Sequence, residues 1–236
     1  MKWRVGFFIL FLFQIACNNK YDNSNLSIFK YNESASISTL DPAFSKDQAI
    51  NWATSQIFNS LVKMDVNLNV QTSIAKSWKI SEDGKIYTFH LRNDVVFHDH
   101  ELFENGKGRM VIASDFEYSF NRLISKDLAA PGNWVFSNVE TFKSLNDSTF
   151  QIQLTNPFPP FLGLLSMQYC SVLPKEIVEN TDFRSHPIGT GPFKFQYWKE
   201  GVKLVLRKNQ NYFEIDNGKQ LPYLDAVSIT FVKDKQ

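Results

Sequence analysis

Short segments that alternate apolar and polar residues, each closed by a turn signal, restrict this chain more than any other feature. In Phe150-Gln151-Ile152-Gln153-Leu154 the apolar residues fall on one side and the glutamines on the other. That period of two is the mark of a half-buried strand. Residues 26–31 and the pattern Val227, Ile229, Phe231 predict further strands near the two ends, the last of them expected to keep one edge without a partner. Residues 78–81 and 86–91 flank Glu82-Asp83-Gly84-Lys85, where Asp-Gly supplies the positive backbone angles of a tight hairpin. A second hairpin is predicted for residues 193–198 and 202–207 around Lys199-Glu200-Gly201, and Asn146-Asp147 turns another strand back into Phe150.

Helices punctuate these strands. Ser45-Lys46-Asp47-Gln48 reads as a capping box. Ala49, Ile50, Ala53, Ile57, Phe58, Leu61 and Val62 then recur at helical spacing, predicting one buried stripe. Residues 114–117 read as a second capping box, opening a helix with Phe116, Phe120, Leu123 and Ile124 on one face. Pro159 and Pro160 precede the apolar residues 161–167, and Pro174 suits the first turn of a short helix reaching Glu179. Strands and helices in this mixture specify an α/β body.

Composition excludes some classes. With 25 basic against 24 acidic residues, the chain lacks the electrostatic footprint of a nucleic-acid binder. Two cysteines, Cys17 and Cys170, give no disulfide framework, so the core must hold the fold. The 22 phenylalanines are expected mainly inside, as are Trp78, Trp134 and Trp198. Cys170 sits in an apolar setting beside Tyr169 and Val172, the place of an inert thiol rather than a nucleophile.

The N-terminus reads as an address. Lys2 and Arg4 precede an apolar run, residues 5–13, that is too short to span a bilayer and fits a secretory signal core. Residues 1–16 are therefore expected to be a lipoprotein signal peptide. Cys17 would be the lipidated residue, although Gln14 departs from the usual leucine. Residues 18–25 are polar and turn-rich, as a tether would be.

A series of short motifs then runs in order: Thr39-Leu40-Asp41-Pro42-Ala43; Ile57-Phe58-Asn59-Ser60-Leu61; Ile74-Ala75-Lys76-Ser77-Trp78; Phe97-His98-Asp99; Asp115-Phe116-Glu117-Tyr118-Ser119-Phe120; Gly189-Thr190-Gly191-Pro192-Phe193; Asn209-Gln210-Asn211-Tyr212-Phe213; and Pro222-Tyr223-Leu224-Asp225. In order and spacing this series resembles the family 5 extracellular solute-binding proteins, the oligopeptide- and dipeptide-binding subunits of ABC importers.

The resemblance implies a periplasmic binding protein type II-like fold, of which this chain is expected to be the N-terminal lobe. Residues 17–49 would begin domain one, residues 50–168 would be domain two, and residues 169–236 would resume domain one. The opposite lobe and a final return segment are expected to be missing, so that the chain is truncated and binds poorly. The implied function is capture of a peptide or other small-molecule ligand between lobes and its delivery to the ABC permease in the inner membrane, without covalent chemistry. The protein would sit on the periplasmic side of the cell envelope, held by a lipid anchor, with no nucleic acid partner, no cofactor and no metal. In relatives the segment before the Leu-Asp-Pro motif offers main-chain groups to an extended peptide; Ser36, Ile37 and Ser38 match that position, against the alternative of an ordinary surface turn.

Two other readings stand beside this one. A surviving lobe could act as a structural or interaction lipoprotein. His90, His98 and His100, with Asp99 and Glu101, could instead form the metal site of a hydrolase, although His100 stands where relatives carry glycine. Gly189 and Gly191 resemble a phosphate cradle, but a strand rather than a helix follows them and no Walker lysine is present, so they are expected to serve backbone shape at a domain junction.

Overall fold

The computed structural model describes residues 26–232. In chain order it contains strand β1 (Ile28–Glu33), helix α1 (Gln48–Ser55), strands β2 (Val62–Met64), β3 (Val70–Thr72), β4 (Ala75–Ile80) and β5 (Ile86–Leu91), and helix α2 (Ala113–Ile124). Strands β6 (Val139–Asn146) and β7 (Thr149–Leu154) follow, then the short helices α3 (Phe161–Leu165) and α4 (Lys175–Val178). Strands β8 (Phe193–Lys199), β9 (Lys203–Lys208), β10 (Ile215–Asp216), β11 (Lys219–Gln220) and β12 (Ala226–Phe231) complete the series.

Two four-stranded sheets organise these elements. One has the order β4-β5-β7-β6 and is antiparallel throughout. The Asp-Gly hairpin forms as predicted, with Gly84 at φ +69°. The inward residues of β5 and β7, Tyr87, Phe89, Leu91, Phe150, Ile152 and Leu154, are all buried. Helix α2 covers this face: the ring of Phe120 lies 5.5 Å from that of Phe150, 5.7 Å from that of Phe142 and 4.6 Å from that of Phe136. Each fully buried phenylalanine contributes about 1.5–3 kcal/mol relative to exposure, so these rings form an aromatic core under α2.

The other sheet has the order β1-β12-β9-β8. Here the expected unpartnered last strand is corrected, because β12 is central, parallel to β1 on one side and antiparallel to β9 on the other. The reason is visible in its burial. Ala226, Val227, Ser228 and Ile229 are buried in succession, which requires cover on both faces and suits an interior strand.

Both predicted capping boxes are also corrected. Helix α1 begins at Gln48 after Asp47. The hydroxyl of Ser45 is buried against Thr54 Oγ1 at 2.9 Å, and Thr54 already donates to the Ile50 carbonyl, so Ser45 is the donor. The helix also stops at Ser55, before the predicted stripe ends, although Ile57, Phe58, Leu61 and Val62 are all buried. The carbonyls of Gln56 and Ile57 receive the amides of Phe193 and Gly191 at 2.9 and 2.8 Å, and that tertiary pairing replaces further helical turns. At α2 the cap is Ile112. The Asp115 carboxylate accepts the Ile112 amide at 2.9 Å while Arg109 holds it at 2.7 and 2.8 Å. Of the predicted face of α2, Phe116, Phe120 and Leu123 are buried and Ile124 is exposed. Trp78 and Trp198 are partly buried, but Trp134 is 49% exposed, against expectation.

Candidate functional site

Residues from four of the motifs, around Ile57, His98, Gly189 and Asn209, converge on a junction between the two sheets. Gly189 and Gly191 lie where a side chain has no room: a Cβ on Gly189 would stand 2.1 Å from the Ile57 carbonyl oxygen, and one on Gly191 would stand 2.4 Å from the Ile57 carbonyl carbon. Thr190 Oγ1 and the Asn59 amide oxygen are 3.0 Å apart, and the other end of Asn59 donates to the Tyr212 hydroxyl. Asn209 donates its side-chain amide to the Gly191 carbonyl at 3.0 Å. These glycines serve close backbone approach, as expected. The Gly191 amide, which a phosphate would need, is already used.

His98 closes the junction. Its backbone amide donates to the Gly189 carbonyl at 2.8 Å. The ring Nε2 faces the Gly191 carbonyl at 3.0 Å and the ring Nδ1 faces the Gly189 amide at 3.4 Å. A carbonyl can only accept, so Nε2 carries the proton and Nδ1 is the acceptor. Burial lowers the pKa of this ring to about 4, although the bond to Gly191 favours the charged form. A base whose folded pKa lies below its unfolded value of about 6.5 binds more protons when unfolded. We therefore expect stability that is intact above pH 6.5 and falls through the window down to pH 4, by about 3 kcal/mol in total from this group. Urea unfolding of the wild type and of His98→Gln across that window measures it; equal slopes for both would contradict the assignment.

The hydrolase reading loses its central ligand here, since both ring nitrogens of His98 face backbone groups. His100 Nδ1 accepts the Leu102 amide at 3.2 Å, and His90 lies on β5 opposite Thr149. Among the described residues no three metal-binding side chains come together. Cys170 is buried, its Sγ 3.6 Å from the Leu164 carbonyl, and burial pushes its thiol pKa up. Cys17 and residues 1–16, the expected signal peptide, lie outside the described residues.

Residues 36–38 follow β1 as an irregular stretch without strand pairing, with a bend at Ser38. Ile37 is 1% exposed and anchors the segment, whereas Ser36 and Ser38 face solvent. Among the described residues the backbone amides of all three have no hydrogen-bond partner. The segment is nonetheless pinned. Arg184 Nε donates to the Ser38 carbonyl at 2.8 Å, and the Leu40 amide donates to the Arg184 carbonyl at 2.9 Å. Asp41 fixes the next turn, accepting the Ala43 amide and also binding Arg122 at 2.6 and 3.2 Å. A cavity of about 520 Å³ opens beside Ser38, walled by Thr39, Phe44, Ala129 and Pro131. Sequence reasoning missed Arg184 and Arg122 as partners, because nothing in their local spacing marks the residues they reach across the fold.

Both the sequence and the fold have counterparts among known proteins. Residues 69–236 match the family described as bacterial extracellular solute-binding proteins, family 5 Middle. The chain is 32% identical over 180 residues to a dipeptide-binding protein of Escherichia coli, a match covering 66% of this chain and 32% of that one. It is 29% identical over 200 residues to the oligopeptide-binding protein AppA of Bacillus subtilis, covering 81% of this chain and 34% of that one. The solved periplasmic binding protein DppA of Helicobacter pylori, in complex with the peptide STSA, superposes with a TM-score of 0.78 at 30% identity, covering 88% of this chain and 43% of that one. The matches thus span about a third of these curated relatives and about two fifths of the solved receptor. The chain belongs to the family 5 bacterial extracellular solute-binding proteins.

Proposed function

We propose that this chain provides a ligand-facing part of a receptor for an ABC importer, capturing a peptide or similar small solute and passing it to the permease in the inner membrane. The reading rests on one observation above others: the exposed Ser36 and Ser38 present unpaired backbone amides on either side of the buried Ile37, on a segment pinned by Ile37 and Arg184. An extended peptide can add to such a segment through its own main chain, which gives affinity without demanding particular side chains. Binding of this kind involves no covalent chemistry. In the same reading Cys17 carries the lipid that holds the protein on the periplasmic side of the envelope.

Domain boundaries follow the same proposal: residues 17–49 and 169–236 build domain one, and residues 50–168 build domain two. The membership of the sheets supports it, since β1, β8, β9 and β12 share one sheet and β4 to β7 share the other. The described residues would supply one of two faces around the ligand, and enclosure is what gives such pockets their affinity. The 236-residue chain is therefore expected to bind a short peptide with one-to-one stoichiometry but more weakly than micromolar. Calorimetric titration giving micromolar affinity or tighter would contradict a one-sided site, and no heat at high concentration would contradict the binding role.

A further inference from the structure

We propose that the cavity beside Ser38 is a carboxylate subsite, filled by the free C-terminal carboxylate of a short peptide with Lys46 and Arg184 as its cations. The proposal rests on reading residues 36–38 as the ligand-facing segment. It fixes which end of the peptide lies where.

The charge around this cavity is uneven. Its one acidic lining residue, Asp41, is already engaged, with both carboxylate oxygens on Arg122 and one also receiving the Ala43 amide. Asp41 therefore has little to offer an incoming ammonium group. Lys46 is exposed and, among the described residues, has no carboxylate partner. Arg184 touches a carboxylate only through Nη2, which meets Glu200 at 3.1 Å, and the two side chains are 51% and 58% exposed. An exposed pair of this kind is worth little and can exchange partners.

Arg184 is also oriented in advance. Its Nε is held on the Ser38 carbonyl at 2.8 Å, and its guanidinium carbon lies 5.5 Å from the centre of the Trp198 ring. A guanidinium fixed in this way keeps other N–H groups to share with a carboxylate. Phe44, Ala129 and Pro131 form an apolar wall suited to the side chain of the last residue. A peptide with its carboxylate here would run its preceding residues along the open amides of Ser36 and Ser38.

The test is an NMR-monitored titration of the chain with trialanine and with trialanine C-terminal amide, repeated on Lys46→Gln. Lys46 is exposed, so this variant is expected to melt like the wild type. The wild type should prefer the acid by about tenfold, the scale of one charge-assisted contact. In Lys46→Gln the preference should fall to roughly twofold or threefold, and it should shrink in the wild type as salt is raised. Equal affinity for acid and amide, with shifts still centred on Ser36 and Ser38, would overturn the subsite and leave the ligand-facing reading intact. An undiminished preference in both Lys46→Gln and Arg184→Gln would place the recognising cations elsewhere and also overturn it. No shift at residues 36–38 with either peptide would sink both readings.

Discussion

Gly189→Ala should lower stability by about 3 kcal/mol or more, the range reached when a packed interior is forced to accept extra atoms. The added Cβ would meet the Ile57 carbonyl oxygen at 2.1 Å, and the Phe58 ring lies close behind at 2.6 Å. A rotamer change offers no escape, because the first obstacle is backbone. Relief requires residues 189–193 to move away from residues 56–57, which strains the Gly191-to-Ile57 and Phe193-to-Gln56 hydrogen bonds together. Gly191→Ala should behave similarly, since its Cβ would lie 2.4 Å from the Ile57 carbonyl carbon. Gly201→Ala is the comparison. It has nothing within 4 Å of the new atom, only a φ of +68°, so its cost should be about 1 kcal/mol from backbone conformation alone. Urea midpoints for the three variants check this order, and a Gly189→Ala protein no less stable than Gly201→Ala would refute the close-approach account.

Arg122→Ala should cost about 3–5 kcal/mol, the loss expected when one partner of a buried ion pair is removed. The side chains of Asp41 and Arg122 are only 6% and 16% exposed, so water cannot readily replace the guanidinium. The pair ties α2 to the turn that follows the candidate ligand segment, and its loss should loosen that turn as well as lower stability. Asp41→Ala alone should be similarly harmful, partly because the Ala43 amide loses its acceptor. The double variant should be markedly more stable than the sum of the two single losses predicts, since neither charge is then left without its partner. Additive losses would show that the two residues act independently.

Local chemistry made much of this fold legible. The Asp83-Gly84 turn, the alternation in β7 and, apart from Ile124, the apolar face of α2 are decided by neighbours in sequence, and the structure bears them out. What stayed hidden depends on distant partners. Ser45 looks like a cap until Thr54 claims its hydroxyl, and α1 seems longer until residues 191–193 take the carbonyls of Gln56 and Ile57. Strand β12 looked like an edge because its partner β1 comes from the other end of the chain. From Val227 on its sequence alternates, because Ser228 and Thr230 are polar, and the burial of Ser228 that marks it as interior is visible only in the fold.

The candidate site divides along the same line. Only the resemblance of the motifs marks Ser36, Ile37 and Ser38; they carry no pattern of their own. Arg184, which holds Ser38 in place, lies in a stretch without periodicity. The histidines were conspicuous in sequence, yet His98 belongs to the junction that positions the two sheets. Its chemistry is that of a buried hydrogen-bonding group.

Where a peptide touches this chain tests the account most directly. Backbone amide shifts recorded during titration with trialanine should change first and most at Ser36, Ile37 and Ser38, with Arg184 beside them. Changes centred instead on the polar groove that Tyr118 and Lys175 line around α2, or an unaltered spectrum at high peptide concentration, would contradict it.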